Sequence, residues 1–240
     1  MTSAWQRILG SYTPEKRNWD RTYPWIAYVL RPVSFLMTWL LSPCVTANQV
    51  TLFSYLVAVL SLVFLADGSS TSFLLGSSLL VLFNLLDCVD GNLARLRGTS
   101  NPFGRFLDAL AFPAFVLPYF ALGIGLARRA GPGKGEFLLG IGAATAILRL
   151  LGPQIRQLFF TCFGEVWEDH KRKHGTVGHV GGWYYRLYYN LTDLQAHDIV
   201  LVLASLVGQL EAFLITSFVI SVLDVSGVLL LSLWRARRLL

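Results

Sequence analysis

Charge is what this chain has least of. Only 14% of its 240 residues are Asp, Glu, Lys or Arg, 54% are hydrophobic, and mean hydropathy is +0.55. That excludes an ordinary soluble domain and indicates a polytopic membrane protein. Cysteine is scarce too. Cys44, Cys88 and Cys162 form an odd, scattered set. They make neither a disulfide framework nor a zinc spacing, and read as packing residues. The N-terminus is polar, contains Trp and lacks a short apolar core, so no cleavable signal peptide is expected. No internal repeat or low-complexity tract is present. Net charge is +6, but in a membrane chain the placement of the basic residues informs more than their sum. No nucleic-acid partner is expected.

What is present is organised around residues 87–112, DCVDGNLARLRGTSNPFGRFLDALAF. On a helix Asp87, Asp90, Gly91 and Ala94 share one face, so two carboxylates are flanked by two very small residues. Gly104 and Asp108 are one turn apart on the next helix. Ser100-Asn101-Pro102 supplies an N-cap and then Pro at the first helical position. The two helices would aim three carboxylates at one point. Each ionised Asp at the centre of a membrane helix costs roughly 2.5–3.5 kcal/mol on insertion scales. A hard divalent cation would offset that cost, and oxygen ligands suit Mg²⁺, Mn²⁺ or Ca²⁺. The plain alternative is a set of solvated acids at helix ends.

This run resembles the signature of the CDP-alcohol phosphotransferase family, D-x2-D-G-x2-A-R-x8-G-x3-D-x3-D. Asp87, Asp90, Gly91, Ala94, Arg95, Gly104 and Asp108 fall in register, and Phe112 stands where the last Asp belongs. The resemblance implies an all-α membrane enzyme. It would move a phospho-alcohol or phosphatidyl group from a CDP-linked donor to a lipid or small polar acceptor, releasing CMP. Asp87, Asp90 and Asp108 would hold Mg²⁺ or Mn²⁺, and Gly91, Ala94, Arg95 and Gly104 would line the donor site. The family often has Pro-Asn-x-Leu-Thr before the first span. Here Asn48 and Thr51 match and Ala47 replaces the proline, so Asn48 either caps a helix or helps bind the donor. Arg95 either reaches phosphate or anchors the cytoplasmic helix end. The resemblance also implies a homodimer.

Phe112 can neither ligate metal nor take a proton from an acceptor hydroxyl, a contribution typically worth about 10² to 10⁴ in rate. Three readings follow. Another residue serves as base, with His197 and Asp198 first and His170, His174 or His179 after them. Alternatively, the acceptor is already ionised, as a phosphate monoester is, with a second pKa near 6. Or the protein is a degenerate member that binds or transports a nucleotide-linked substrate. A membrane prenyltransferase would also bind Mg-diphosphate. It should show a second Asp-rich motif, however, and Asp193, Asp198, Glu211 and Asp224 form none.

Six transmembrane helices are expected, near 49–66, 71–92, 102–127 and 136–161, with two more within 197–234 and a turn at 208–211. Residues 1–48 form an N-terminal interfacial segment and 49–240 the catalytic domain. Trp5, Tyr12, Trp19 and Tyr23 lie among basic residues at headgroup level. The stretch after Pro32 is too short to cross about 30 Å at 1.5 Å per residue and reads as an in-plane amphipathic helix, with a tilted extra span as the rival. Pro113 and Pro118 should bend the third span. Residues 164–196 read as the one long polar connection, and their aromatic run at 183–189 as an interfacial belt or a substrate cage. With a cytoplasmic N-terminus, only Arg128, Arg129 and Lys134 of the twenty basic residues fall outside. That puts both termini and the aspartates on the cytoplasmic side, as in a bacterial inner-membrane protein. Arg149 and Arg156, seven apart within a span, either bind an anionic group of the acceptor or snorkel to headgroups.

Overall fold

The computed structural model describes residues 4–99, 102–174 and 183–239. It describes no side-chain surroundings for Ala4, Asp108, His170 to His174, or Trp183 to Arg186. Among the described residues the chain is all helical: α1 (Ala4–Gly10), α2 (Pro14–Asp20), α3 (Ile26–Leu41), α4 (Ala47–Asp67), α5 (Ser70–Arg97), α6 (Pro102–Leu110), α7 (Phe112–Ala130), α8 (Lys134–His174), α9 (Trp183–Thr192), α10 (Leu194–Val207) and α11 (Leu210–Leu239).

Local chemistry sets the boundaries. Thr46 opens α4 with a capping box: its hydroxyl accepts from the Gln49 amide, and the Gln49 side chain accepts from the Thr46 amide. Thr46, not Asn48, is therefore the cap. Ser69 caps α5, and Gly98, at φ 63°, ends it. Arg31-Pro32 does not interrupt the chain as the sequence suggests. A π turn over Ile26–Leu30 leads straight into Arg31, which leaves Pro32 in the first turn of the following α-helix, where a missing N–H costs little. The expected third span divides into α6 and α7 at Ala111, with Pro113 at the start of α7 rather than inside it and Pro118 in its interior. In the fourth span the helix runs on to His174, well beyond the expected end at 161. The helix continues through the polar residues from Glu165 onward, because Glu, Lys and Arg are good helix formers.

Among the described residues, five stretches are long and apolar enough to cross a membrane: Ala47–Asp67, Ser70–Arg97, Pro102–Ala130, Lys134–Asp169 and Leu210–Leu239. The sixth expected span, α10, has 14 residues, about 21 Å at 1.5 Å per residue. It nevertheless takes a place in the bundle. Contacts run from α10 to α5, then through α4, α7, α8 and α11, and back to α10, closing a ring. Inside it Leu65, Phe73, Leu80, Leu122, Leu126 and Leu214 make the main core. Two joints of the ring are backbone against backbone. A Cβ on Gly125 of α7 would lie 2.1 Å from the Leu65 carbonyl oxygen of α4, and one on Gly142 of α8 would lie 2.9 Å from the Gly123 Cα of α7. Outside the ring α3 packs on α5, where Ile26, Leu30 and Cys88 share a small cluster. Cys88 is the packing residue expected, whereas Cys44 and Cys162 are exposed.

Candidate functional site

The 28-residue α5 carries Asp87 through Arg95 as unbroken helix, so the face read from the sequence forms. Asp87, Asp90, Gly91, Ala94 and Arg95 line a cavity of about 270 Å³. Across it stand Gly104 and Arg105 of α6 and Asn48 and Thr51 of α4. Each residue taken from the sequence as donor-binding lines this one space, together with two of the three aspartates. The third, Asp108, follows Gly104 by one turn on α6 and has its side chain outside the described residues. Among the described residues no group of three metal-ligating side chains occurs. Thr51 Oγ1 donates to Asp90 Oδ2 at 2.6 Å and holds that carboxylate from the neighbouring helix. A Cβ on Gly91 would lie 3.4 Å from the Arg95 guanidinium, which folds back along α5 over the glycine.

Two further cations line the cavity, Lys16 of α2 and Arg31 of α3. They belong to a buried network centred on Asp20, which is 1% exposed. Asp20 accepts from Arg31 Nε at 2.5 Å and from the Tyr12 hydroxyl at 2.9 Å, and pairs with Lys16 Nζ at 3.2 Å. Arg31 and Arg95 both donate to Asn92 Oδ1, at 3.1 and 2.7 Å, and Asn92 Nδ2 donates to Ser34 Oγ at 3.0 Å. Burial alone would raise the Asp20 carboxyl. The hydrogen bond and charge of Arg31, joined by Lys16 and Tyr12, outweigh it and hold the group below the usual carboxylate range. Burial, then the bond to Asp20, pushes the Tyr12 hydroxyl up to about 12. No local sequence pattern marks this network. Arg31, Asn92 and Asp20 look like interfacial or surface residues until tertiary packing joins them.

Arg149 and Arg156 come together at a second cavity of about 300 Å³, which Tyr23, Phe115, Asp193 and Asp224 also line. Arg156 pairs with Asp224 at 3.2 Å, and the Tyr188 hydroxyl donates to the same carboxylate. Arg149 lies over the Tyr119 ring, 4.5 Å from its centre, and donates from Nη2 to His197 Nδ1 at 2.9 Å. The Nε of each arginine is buried without a hydrogen-bond partner among the described residues. At the rim Asp193 caps α10 by accepting from the Ala196 amide, and burial raises its carboxyl to about 6.

His197 and Asp198 lie in the bundle interior and do not line the aspartate cavity. A guanidinium only donates, so His197 Nδ1 accepts and its Nε2–H donates to the Leu191 carbonyl at 2.7 Å. Asp198 accepts from Asn84 Nδ2 at 2.7 Å. Of the other late acids, Glu211 pairs with Lys134 at 2.7 Å. Each of Asp193, Asp198, Glu211 and Asp224 thus has a separate local partner. Ser100 and Asn101, the expected cap, lie outside the described residues, as does His179. The side chains of His170, His174 and the aromatics at 183–185 lie outside them too.

Among the described residues, an all-helical bundle with five membrane-length stretches and a carboxylate cavity floored by small residues defines a membrane protein built around a polar pocket. Residues 44–159 match the model of the CDP-alcohol phosphatidyltransferase family. The family is one of transferases. The match takes in Asn48, the whole 87–108 signature, Arg149 and Arg156. It leaves out Lys16, Arg31, His197 and Asp198. A comparison with curated proteins finds no match.

Proposed function

We propose that this protein is an integral-membrane phosphotransferase. It moves a phospho-alcohol or phosphatidyl group from a CDP-linked donor to an acceptor and releases CMP. One observation carries the reading: Asp87, Asp90, Gly91, Ala94, Arg95, Gly104 and Asn48 line a single cavity. The donor set offered to a metal is carboxylate oxygen alone, which fits Mg²⁺ or Mn²⁺. Asp87, Asp90 and Asp108 would hold it, and when bound it neutralises charge that develops on the diphosphate. Gly91 and Ala94 let the diphosphate approach the helix, Thr51 keeps Asp90 turned inward, and Arg95 faces the phosphates.

The acceptor occupies the second cavity, where Arg149 and Arg156 bind its anionic group. Its oxygen forms a bond to the distal phosphorus of the donor. The bond from that phosphorus to the bridging oxygen breaks, and CMP leaves with the bridging oxygen. Both ring nitrogens of His197 are already engaged, and Asp198 is bonded to Asn84. These bonds favour an acceptor that arrives ionised, such as a phosphate monoester, over one deprotonated by His197 or Asp198. Attack by such an oxygen yields a diphosphate linkage and needs no base, which accounts for Phe112.

In this reading α10 completes a six-span bundle by closing the ring. The termini and the aspartate cavity face the cytoplasm of a bacterial inner membrane, residues 1–48 lie at the membrane–water interface, and the protein acts as a homodimer. The test is CMP release by protein in detergent with Mg²⁺ or Mn²⁺, from a panel of CDP-alcohols and CDP-diacylglycerol, with lipid or metabolite extracts added. Release that needs the metal and is lost in Asp87→Asn supports transfer. Binding of a CDP compound without CMP release would turn the reading to a nucleotide-binding or transport relative.

A further inference from the structure

The segment that matches the family model does not supply all the cations of the aspartate cavity. Lys16 and Arg31 both precede residue 44, yet they line the cavity beside Asp87 and Asp90. Their common counter-ion is Asp20, a single carboxylate answering two cations. The cluster therefore presents one surplus positive charge to the cavity.

The two cations are not equivalent. Arg31 is buried and fixed at both ends, to Asp20 and to Asn92. Lys16 keeps 34% of its side chain exposed and touches Asp20 through a single contact. If Lys16 turned away, Asp20 would keep Arg31 and Tyr12 as partners and would remain satisfied. A lysine ammonium is a compact charge on a flexible stem, suited to changing partners, whereas the arginine fork suits a fixed pair.

We infer that Lys16 is a donor-binding residue: it leaves Asp20 and pairs with the diphosphate of the CDP-linked donor, while Asp20 holds Arg31 and α2 in place. The N-terminal segment is then a wall of the substrate cavity as well as a membrane-surface anchor. The inference rests on the donor reading of this cavity.

The test uses the full chain in detergent with Mg²⁺, and CDP and CMP as probes, titrated calorimetrically. Melting temperatures are recorded in parallel. Lys16→Met is expected to weaken CDP about tenfold, as loss of one charge-assisted contact does, with a much smaller effect on CMP. Lys16→Arg should restore most of the CDP affinity. A purely structural role predicts a lower melting temperature and an equal loss for both nucleotides, and that result overturns the inference. So does Lys16→Met binding CDP like wild type while Asp87→Asn loses it, in which case the donor reading stands. If the wild type binds neither nucleotide, the donor reading fails and takes the inference with it. Should Lys16→Met not fold, Lys16→Gln, which still donates to Asp20, replaces it with the same expectations.

Discussion

Thr51 and Asp90 are 39 residues apart in the chain and 2.6 Å apart in space, joined by a hydrogen bond across the α4–α5 pair. The hydroxyl fixes one of the two carboxylates that face the cavity. Such orienting partners typically change metal affinity or activity by 10- to 100-fold when removed. Thr51→Val keeps the shape and deletes the donor. It should weaken Mn²⁺ binding by roughly that factor, read by paramagnetic resonance, and Thr51→Ser should recover most of it. Unchanged Mn²⁺ affinity in Thr51→Val would sink the assignment.

A second prediction separates two roles for His197. If it holds Arg149, His197→Ala should raise the acceptor KM about tenfold or more, as loss of a bond to a charged group does. The pH dependence of kcat should keep its shape. If His197 were the general base, kcat itself would fall and the limb of the profile that reports the base would vanish. Arg149→Met should reproduce the first pattern.

The Asp20 network sets an acid limit on stability. Its carboxyl is more acidic in the folded chain than in the unfolded one. As pH falls, the unfolded chain therefore takes up the proton first. The contribution is complete above the unfolded value of about 4 and disappears as pH drops through the lower, folded value. Melting temperature should fall over that window in the wild type. Asp20→Asn should be destabilised at neutral pH and should lack this part of the acid dependence. An identical acid profile in the variant would refute the role.

The α4–α7 joint makes a steric prediction. With 2.1 Å between a Cβ at position 125 and the Leu65 carbonyl oxygen, Gly125→Ala must push the helices apart. Overpacking of this kind costs typically about 1–3 kcal/mol. Thermal stability in detergent should drop accordingly, whereas Gly140→Ala on α8, where nothing lies within 4 Å, should change little.

These features differ in how far they were legible beforehand. The faces carrying Asp87, Asp90, Gly91 and Ala94 follow from helical periodicity, which is a local property, and they form as read. The turn at Gly208 was equally local. The division at Ala111 has no such mark: a proline in the first turn of a helix looks the same in sequence as one inside a span. The continuation of α8 past 161 is hidden by its polarity, which suits a loop and a solvated helix alike, since Glu, Lys and Arg are good helix formers. The Asp20–Arg31–Asn92 chain had no local mark at all. Arg31 and Asn92 are 61 residues apart, and their meeting is fixed by how α3 lies on α5. The same holds for Arg149 and His197, 48 apart. Each stands out in the sequence as a site residue, but nothing local links the two.

The glycine joints have a mechanical consequence. Where α4, α7 and α8 meet, main chain rests on main chain, with no layer of side chains whose rotamers might absorb a shift. Close-packed contacts of that kind are stiff and transmit displacement instead of damping it. Those three helices form a chassis, and the aspartate-bearing α5 is bolted to it through α4. Opening and closing around a substrate then falls to the parts held by side chains alone: α10 and α11 on one flank, and the short helices before α4 on the other.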